Sequence, residues 1–234
     1  MNKKEFIKEL ELLNIHLTDI QLNQLDEYYK MVIEYNEKVN LTRITEEKDF
    51  YLKHFYDSLT LIKAVDLTKE LTLCDIGTGA GFPGIVLKIC FPQLKITLVE
   101  TLQKRVRFLY SVKEKLNLRD LFICKERAEI FARNNRDKYD IVTSRAMARL
   151  NILNEMCIPL VKLNGYFIPM KGSIEGELEE AENSIKEMDS ILEDVISFTL
   201  PIENSVRNLV VIKKIGYNKE RYPRKFDEIK KYPL

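Results

Sequence analysis

Leu73-Cys74-Asp75-Ile76-Gly77-Thr78-Gly79-Ala80-Gly81-Phe82-Pro83-Gly84 is the stretch that decides the fold. An apolar run from Leu71 to Ile76 stops at a turn with glycine at 77, 79, 81 and 84, and a helical pattern (Ile85, Val86, Leu87, Ile89) follows at once. The order is strand, glycine turn, helix. Such a turn lets backbone N–H groups approach a ligand closely, at the carboxyl end of a parallel strand, where α/β folds bind cofactors. A second apolar run, Ile96 to Val99, ends in Glu100, sixteen residues past Gly84. A carboxylate at the tip of the neighbouring strand is placed to accept both hydrogens of a ribose diol. The expected ligand is a nucleoside-containing cofactor.

The span Gly79-x-Gly81-x-x-Gly84 also fits the dinucleotide fingerprint, so the glycines alone leave a nicotinamide-dependent oxidoreductase open. Three features favour S-adenosylmethionine. Asp75, two residues before the first glycine, would repel a pyrophosphate but suits a cationic sulfonium and ammonium. About seventy residues of helical sequence precede the unit, enough for a cap over the site. No Tyr-x-x-x-Lys pair occurs, and both histidines, His16 and His54, lie upstream of the turn.

The chain has 234 residues, 45% of them hydrophobic, enough for one α/β domain with a small extra lobe. A formal net charge of +1 predicts no partner by itself. Four cysteines (Cys74, Cys90, Cys124, Cys157) sit in or beside apolar runs without C-x-x-C spacing, which suits reduced core thiols rather than disulfides or a metal site. The N-terminus lacks a signal-peptide core and no run of about twenty apolar residues occurs, so a cytoplasmic protein without membrane contact is expected.

Residues 3–13 have helical apolar spacing, and Thr18-x-x-Gln21 reads as a capping box opening a long helix with Leu22, Leu25, Tyr28, Tyr29, Val32 and Tyr35 on its apolar face. A third helical stretch covers about 46–65. From Leu71 onward strands are expected near 71–76, 95–99, 120–124, 139–143 and 165–170, with helices between: a doubly wound, mostly parallel sheet. Runs 195–200 and 208–212 read as an antiparallel edge hairpin, making seven strands. The acidic run Glu175–Asp194, nine carboxylates against Lys186, reads as a solvated helix face. The predicted units are a helical extension over 1–66, the cofactor-binding domain over 67–216 and a tail over 217–234.

That tail carries eight cations against three carboxylates between 213 and 234, with Tyr217, Tyr222, Phe226 and Tyr232 interleaved and prolines at 223 and 233 that discourage helix. Two readings are open. Arg221, Arg224 and Lys225 grip phosphates while aromatics stack on bases, or the tail packs back on the domain.

Three further motifs fall where strands 3, 4 and 5 should end, on the rim of the glycine turn: Glu126-Arg127-Ala128-Glu129, Ser144-Arg145-Ala146 and Met170-Lys171-Gly172. With Tyr35-Asn36-x-x-x-Asn40-Leu41-Thr42, His54-x-x-Asp57-Ser58, the glycine turn, Lys104-Arg105, Arg207-x-Leu-Val and Tyr222-Pro-Arg-Lys225, the chain resembles over nearly its whole length the glucose-inhibited division B family, methyltransferases that modify N7 of a guanine in small-subunit (16S) ribosomal RNA.

The resemblance implies a Rossmann-like class I methyltransferase fold, S-adenosylmethionine as donor, and small-subunit ribosomal RNA or an assembling subunit as partner of a monomeric enzyme. It implies that Gly77 and Phe82 line the donor pocket, Gly79 keeps the turn tight, Glu100 holds the ribose, Ala128 and Glu129 border the adenine, and Arg145 serves the donor site and faces the guanine. Arg145 and Lys171 are the candidates to orient the base through O6, leaving N7 free. Asn40, His54 and Asp57 are expected on a helical wall of the base pocket, and Arg207 in phosphate contact or a local salt bridge. N7 carries a lone pair and no proton, so no general base is expected. A non-catalytic RNA-binding protein with a relic cofactor pocket is the remaining alternative.

Overall fold

The computed structural model describes residues 1–234. Helices α1 (Lys3–Glu11), α2 (Asp19–Asn36), α3 (Glu47–Phe50) and α4 (Asp57–Leu59) precede the first strand. β1 (Thr72–Ile76), α5 (Gly84–Cys90), β2 (Lys95–Glu100), α6 (Gln103–Lys115), β3 (Leu121–Lys125), α7 (Ala128–Asn134), β4 (Tyr139–Arg145), α8 (Leu150–Cys157) and β5 (Val161–Lys171) then alternate. α9 (Glu177–Glu187), β6 (Ser190–Thr199), β7 (Val206–Lys214) and α10 (Phe226–Lys231) complete the chain.

The seven strands form one sheet in the order β3-β2-β1-β4-β5-β7-β6. β1 to β5 run parallel, and β7 lies antiparallel between β5 and the edge strand β6. The expected hairpin is there, longer at both strands and with its second strand inside the sheet. The sequence order reverses between β1 and β4, so a crevice opens at their carboxyl ends. Register aligns the strand tips: Ile76 pairs with Val99, Glu100 with Lys125 and Arg145 with Met170. Residues 75–79, 100, 126–129, 145–148 and 171 therefore share one rim.

Side chains alternate across the buried strands with period two. Leu73, Ile96, Leu98, Ile141, Ile168 and Leu209 join a core shared with α1, α2, the 50–61 segment, α5 and α6. Cys74, Val99, Val142, Phe167, Val210 and Ile212 join the core under α7 to α10. Both N-terminal helices open with capping boxes, Asn2 with Glu5 and Thr18 with Gln21. The Gln21 amide also donates to the Ile89 and Cys90 carbonyls at 2.9 and 3.1 Å, tying the extension to the C-terminus of α5. All four cysteines are free thiols.

Three segments differ from expectation. The helix expected over 46–65 is continuous but contains a π-helical stretch, Tyr51–Tyr56, and a 3-10 end, Thr60–Lys63; π turns leave no mark in hydrophobic spacing and recur at functional sites. The acidic run is helical only through Glu187, and Glu193 and Asp194 belong to β6. A one-turn difference between periods 3.6 and 2 is masked there because most positions are polar on both counts.

The tail, third, packs back on the domain, with Tyr222 and Ile229 buried and a short helix between its prolines. The reason is electrostatic. Glu155 is 0% exposed, and Arg224 meets it with Nε at 2.9 Å and Nη2 at 2.7 Å while the Arg224 amide donates at 2.7 Å. Of the two readings open for the tail, packing back accounts for Arg224, whose charge neutralises a carboxylate in the core. Removing one partner of such a pair costs about 3–5 kcal/mol. Arg224→Ala is expected to lower Tm by roughly 6–20 °C in a chain of this size, followed by circular dichroism; an unshifted transition would show that the pair does not stabilise the fold.

Candidate functional site

The glycine turn is pinned from both sides. Gly77 and Thr78 donate to the Val99 carbonyl at 3.0 and 3.2 Å, and Gly79 N–H donates to Glu100 Oε2 at 3.1 Å. Gly79 has φ +62°, and a Cβ added there would meet nothing within 4 Å, so the turn faces open space. Gly81, at φ +107°, is the reverse: a Cβ would strike the Tyr28 hydroxyl and the Ile85 side chain. Tyr28 in turn donates to the Ala80 carbonyl at 2.6 Å, clamping the turn to α2.

Beneath the turn Asp75 is fully buried. Its Oδ2 accepts from Thr78 Oγ1 at 2.6 Å and Gly84 N–H at 2.9 Å, while Oδ1 has no partner. Burial raises its pKa to about 6, with those two hydrogen bonds pulling the other way. At the tip of β2 Glu100 is 4% exposed, and Oε1 accepts from the Thr101 and Leu102 amides at 2.7 and 2.9 Å. Oε2 accepts only from Gly79 and, at 3.5 Å, from Arg105. Ala128 and Glu129 open α7 on the same rim, both buried, with Glu129 Oε1 accepting from Arg127 Nε at 2.6 Å.

Phe82 packs inward rather than standing free in the crevice. Its ring stacks on His54 at 4.2 Å and meets Tyr28 and Phe50 at 5.4 and 5.6 Å. The aromatic residues of α2 and the 50–56 segment draw it there, since ring pairs at these separations stabilise beyond simple burial. Met147, which the sequence reading passed over, lies against Gly77, where an added Cβ would strike its side chain.

Across the rim lies a cavity of about 330 Å³ lined by His54, Asp57, Arg145, Met170, Lys171 and Arg207 among others. Arg145 is its centre. Nη1 donates to the Lys53 carbonyl and to Asp57 Oδ2, both at 2.9 Å, and Nη2 pairs with His54 Nδ1 at 2.9 Å. Its guanidinium lies 5.3 Å from the Phe82 ring centroid. Asp57, buried, uses its other oxygen for Arg207 Nε at 3.0 Å. One carboxylate thus joins the ends of β4 and β7 to the helical extension, and Arg207 takes the salt-bridge alternative of the two open for it.

Arg145 has only hydrogens to give, so His54 Nδ1 is the acceptor and Nε2–H donates to Thr42 Oγ1 at 2.8 Å. Asn36 Oδ1 holds that loop by accepting from the Leu41 and Thr42 amides at 2.8 and 3.0 Å, and Asn40 is exposed beside them. Burial, and then the neighbouring Arg145 charge, lowers the His54 pKa to about 2. The folded protein therefore keeps this ring neutral while the unfolded chain protonates it below its ordinary value of 6.5. Its stabilising effect is complete above that pH and is lost on acidification. Relative to His54→Gln, wild-type stability should fall by up to about 1.4 kcal/mol per pH unit between about pH 6 and 4 in denaturant titrations. A difference independent of pH would show that the ring is protonated in the fold.

Lys171 reaches the cavity with its ammonium already engaged, donating to the Ala148 carbonyl at 2.6 Å and to Glu177 Oε2 at 2.7 Å. Sequence reading therefore brings together Asp75, Gly77, Gly79, Glu100, Ala128, Glu129, Arg145, Lys171, His54, Asp57 and Arg207 at one rim, with Arg221, Arg224 and Lys225 elsewhere. It missed Lys53 and Tyr28, whose contacts run through a π turn and a backbone carbonyl that no motif records.

A family model described as rRNA small subunit methyltransferase G (GidB) matches residues 21–209. Ribosomal RNA small subunit methyltransferase G of Bacillus subtilis (strain 168) is 48% identical over 237 residues, covering 100% of this chain and 99% of that protein. The protein of that name from Listeria monocytogenes serotype 4b (strain CLIP80459) is 47% identical and covered completely, as is this chain. Among solved structures, a SAM dependent methyltransferase from Aquifex aeolicus superposes with TM-score 0.51 over 71% of this chain and 93% of its own, at 16% identity. Aeropyrum pernix fibrillarin with natively bound S-adenosyl-L-methionine gives 0.52 over 65% of this chain and 72% of its own, at 13% identity. At such identities the likeness concerns the Rossmann-like fold alone.

Proposed function

Because the chain belongs to the GidB family of small-subunit ribosomal RNA methyltransferases, we propose that it methylates N7 of a guanine in 16S ribosomal RNA. It is an S-adenosylmethionine-dependent enzyme of that family, which sets aside both the nicotinamide-dependent oxidoreductase and the non-catalytic RNA binder with a relic pocket. The observation that carries the finer reading is the shared rim: a glycine turn with Glu100 on one side and a cationic cavity centred on Arg145 on the other.

The residues present fit the donor. Glu100 Oε2 keeps acceptor capacity for a ribose diol, Gly79 leaves room above the turn, and the unpartnered Asp75 oxygen is a demand that an ammonium or a bound water satisfies. When bound, S-adenosylmethionine supplies an electrophilic methyl carbon on positively charged sulfur. The chain's own task is alignment, and proximity with orientation contributes about 7–11 kcal/mol in well-aligned cases.

N7 has no proton to lose, and His54 is committed through both ring nitrogens, so it serves as a support rather than a proton carrier. Arg145 has three of its five N–H groups fixed by Lys53, His54 and Asp57, which leaves two to address guanine O6. Lys171 has one N–H left and acts second. Reaching the cavity requires the target nucleotide to splay out of its stack. We assign the work to a cytoplasmic monomer acting on RNA of the small subunit during its assembly, and Asn40 to the RNA-facing loop above the pocket.

The test is incubation with methyl-labelled donor and 16S RNA from cells lacking the gene. One label per RNA, at a guanine whose glycosidic bond becomes cleavable after reduction, is expected. Donor binding without transfer would return the relic reading.

A further inference from the structure

A second concavity, of about 590 Å³, opens between α7 and the tail and is lined by Arg133, Arg221, Tyr222, Arg224, Lys225 and Glu228. Two of its cations are compensated. Arg224 neutralises Glu155, and Arg221 shares Glu187 with Lys219 while lying 4.7 Å from the Tyr222 ring centroid. Arg133 and Lys225 have no carboxylate partner.

Arg133 is held in place by a single bond, Nε to the Pro223 carbonyl at 2.8 Å, so its two terminal nitrogens remain available. Behind it Arg136 adds a third uncompensated charge, donating only to the carbonyls of Tyr222, Asn218 and Lys219. A fixed guanidinium fork beside a free ammonium matches the oxygens of a phosphodiester.

The concavity borders α7, the helix whose first residues, Ala128 and Glu129, stand on the rim. Arg127 binds Glu129 at the rim, and its guanidinium lies 5.1 Å from the centroid of Phe226, the first residue of α10. From Ala128 on the rim to Arg133 along α7 is about 8 Å at 1.5 Å per residue, so a strand that enters the crevice over α7 passes the concavity. We propose that this concavity is a phosphate-binding site for the RNA strand flanking the target guanine, with Arg133 and Lys225 as its contacts, Arg136 as fixed background charge and Arg224 as the anchor that shapes it. The inference rests on the reading of the chain as an RNA methyltransferase, and it replaces a tail that grips RNA along its length with a built site of two residues.

Deleting the tail would take Tyr222 and Ile229 out of the core and strand Glu155, so point variants of the full chain are the proper probes. Affinity for a 16S RNA fragment is measured from about 50 to about 300 mM KCl, and Arg133→Gln with Lys225→Gln should make the slope of log K against log salt shallower by about 1.4–1.8, since each phosphate contact contributes about 0.7–0.9. Binding at the lower salt should weaken roughly tenfold. Arg133→Lys with Lys225→Arg should keep the wild-type slope, and Lys69→Gln with Lys95→Gln, outside the concavity, should leave it unaltered. Calorimetry of S-adenosylmethionine on the double Gln variant should match wild type, which separates a local effect from misfolding.

An unchanged slope in the double Gln variant overturns the site. So does saturable binding of inorganic phosphate at constant ionic strength with no effect on RNA, which makes it a small-anion pocket. A shallower slope in the double Gln variant, together with no methyl transfer by the wild-type protein, overturns the proposed function and leaves the site standing.

Discussion

Glu100→Ala should weaken S-adenosylmethionine binding by two to four orders of magnitude while leaving RNA affinity near wild type. Two ribose hydroxyls donating to one carboxylate form hydrogen bonds to a charged acceptor, each contributing about 1.5–3 kcal/mol, and each 1.4 kcal/mol or so is a factor of ten. The same side chain accepts from the Gly79, Thr101 and Leu102 amides, so its removal also frees the glycine turn on the side that faces the donor. Glu100→Gln keeps the shape and one acceptor but loses the charge, and should fall between the two. Calorimetric titration with donor reads the first effect and filter binding the second. Unchanged donor affinity in the alanine variant would remove Glu100 from the site.

Asp57→Ala is expected to be nearly as severe, for a different reason. Asp57 is the one carboxylate shared by Arg145 and Arg207, whose side chains are 15% and 23% exposed. Without it two partly buried guanidinium groups face each other uncompensated, a change that costs about 3–5 kcal/mol for a buried pair. Arg145 then keeps the Lys53 carbonyl and His54 Nδ1 but loses the contact that fixes its plane. Methyl transfer should drop by about a hundredfold or more, because misplacement of a positioning group by an ångström is enough for that, and the drop should persist at saturating donor. Asp57→Asn, which retains one acceptor, should recover part of the stability and less of the rate. Full transfer with an unshifted melting transition in the alanine variant would show that Arg145 does not depend on this clamp.

How each part of the site was legible differs by residue. Asp75, the glycines and Glu100 lie at strand ends, where an apolar run, a turn and a helical pattern follow one another within thirty residues; local chemistry alone fixes them. Phe82 is placed in the donor pocket by the family resemblance alone. The rings it meets come from Tyr28, Phe50 and His54, far back in the chain, so only tertiary packing decides which way it faces. The tail left two readings open for a related reason. Its cations and aromatics fit an RNA grip and a packed segment alike, and Arg224 answers Glu155, sixty-nine residues upstream, whose burial no local pattern reveals.

The amino-acid order alone specified the alternating strands and helices, the Thr18 capping box, the order of motifs along one rim and a nucleoside-containing cofactor, because each depends on contacts between near neighbours or on a period of two or 3.6. Folding decided that His54 stays neutral beside Arg145, that Asp57 serves two arginines from different strands, and that Arg133 and Lys225 face one concavity without a carboxylate partner. Those outcomes turn on which charges are desolvated and which are shared, and a charge finds its partner only when distant segments have closed around it.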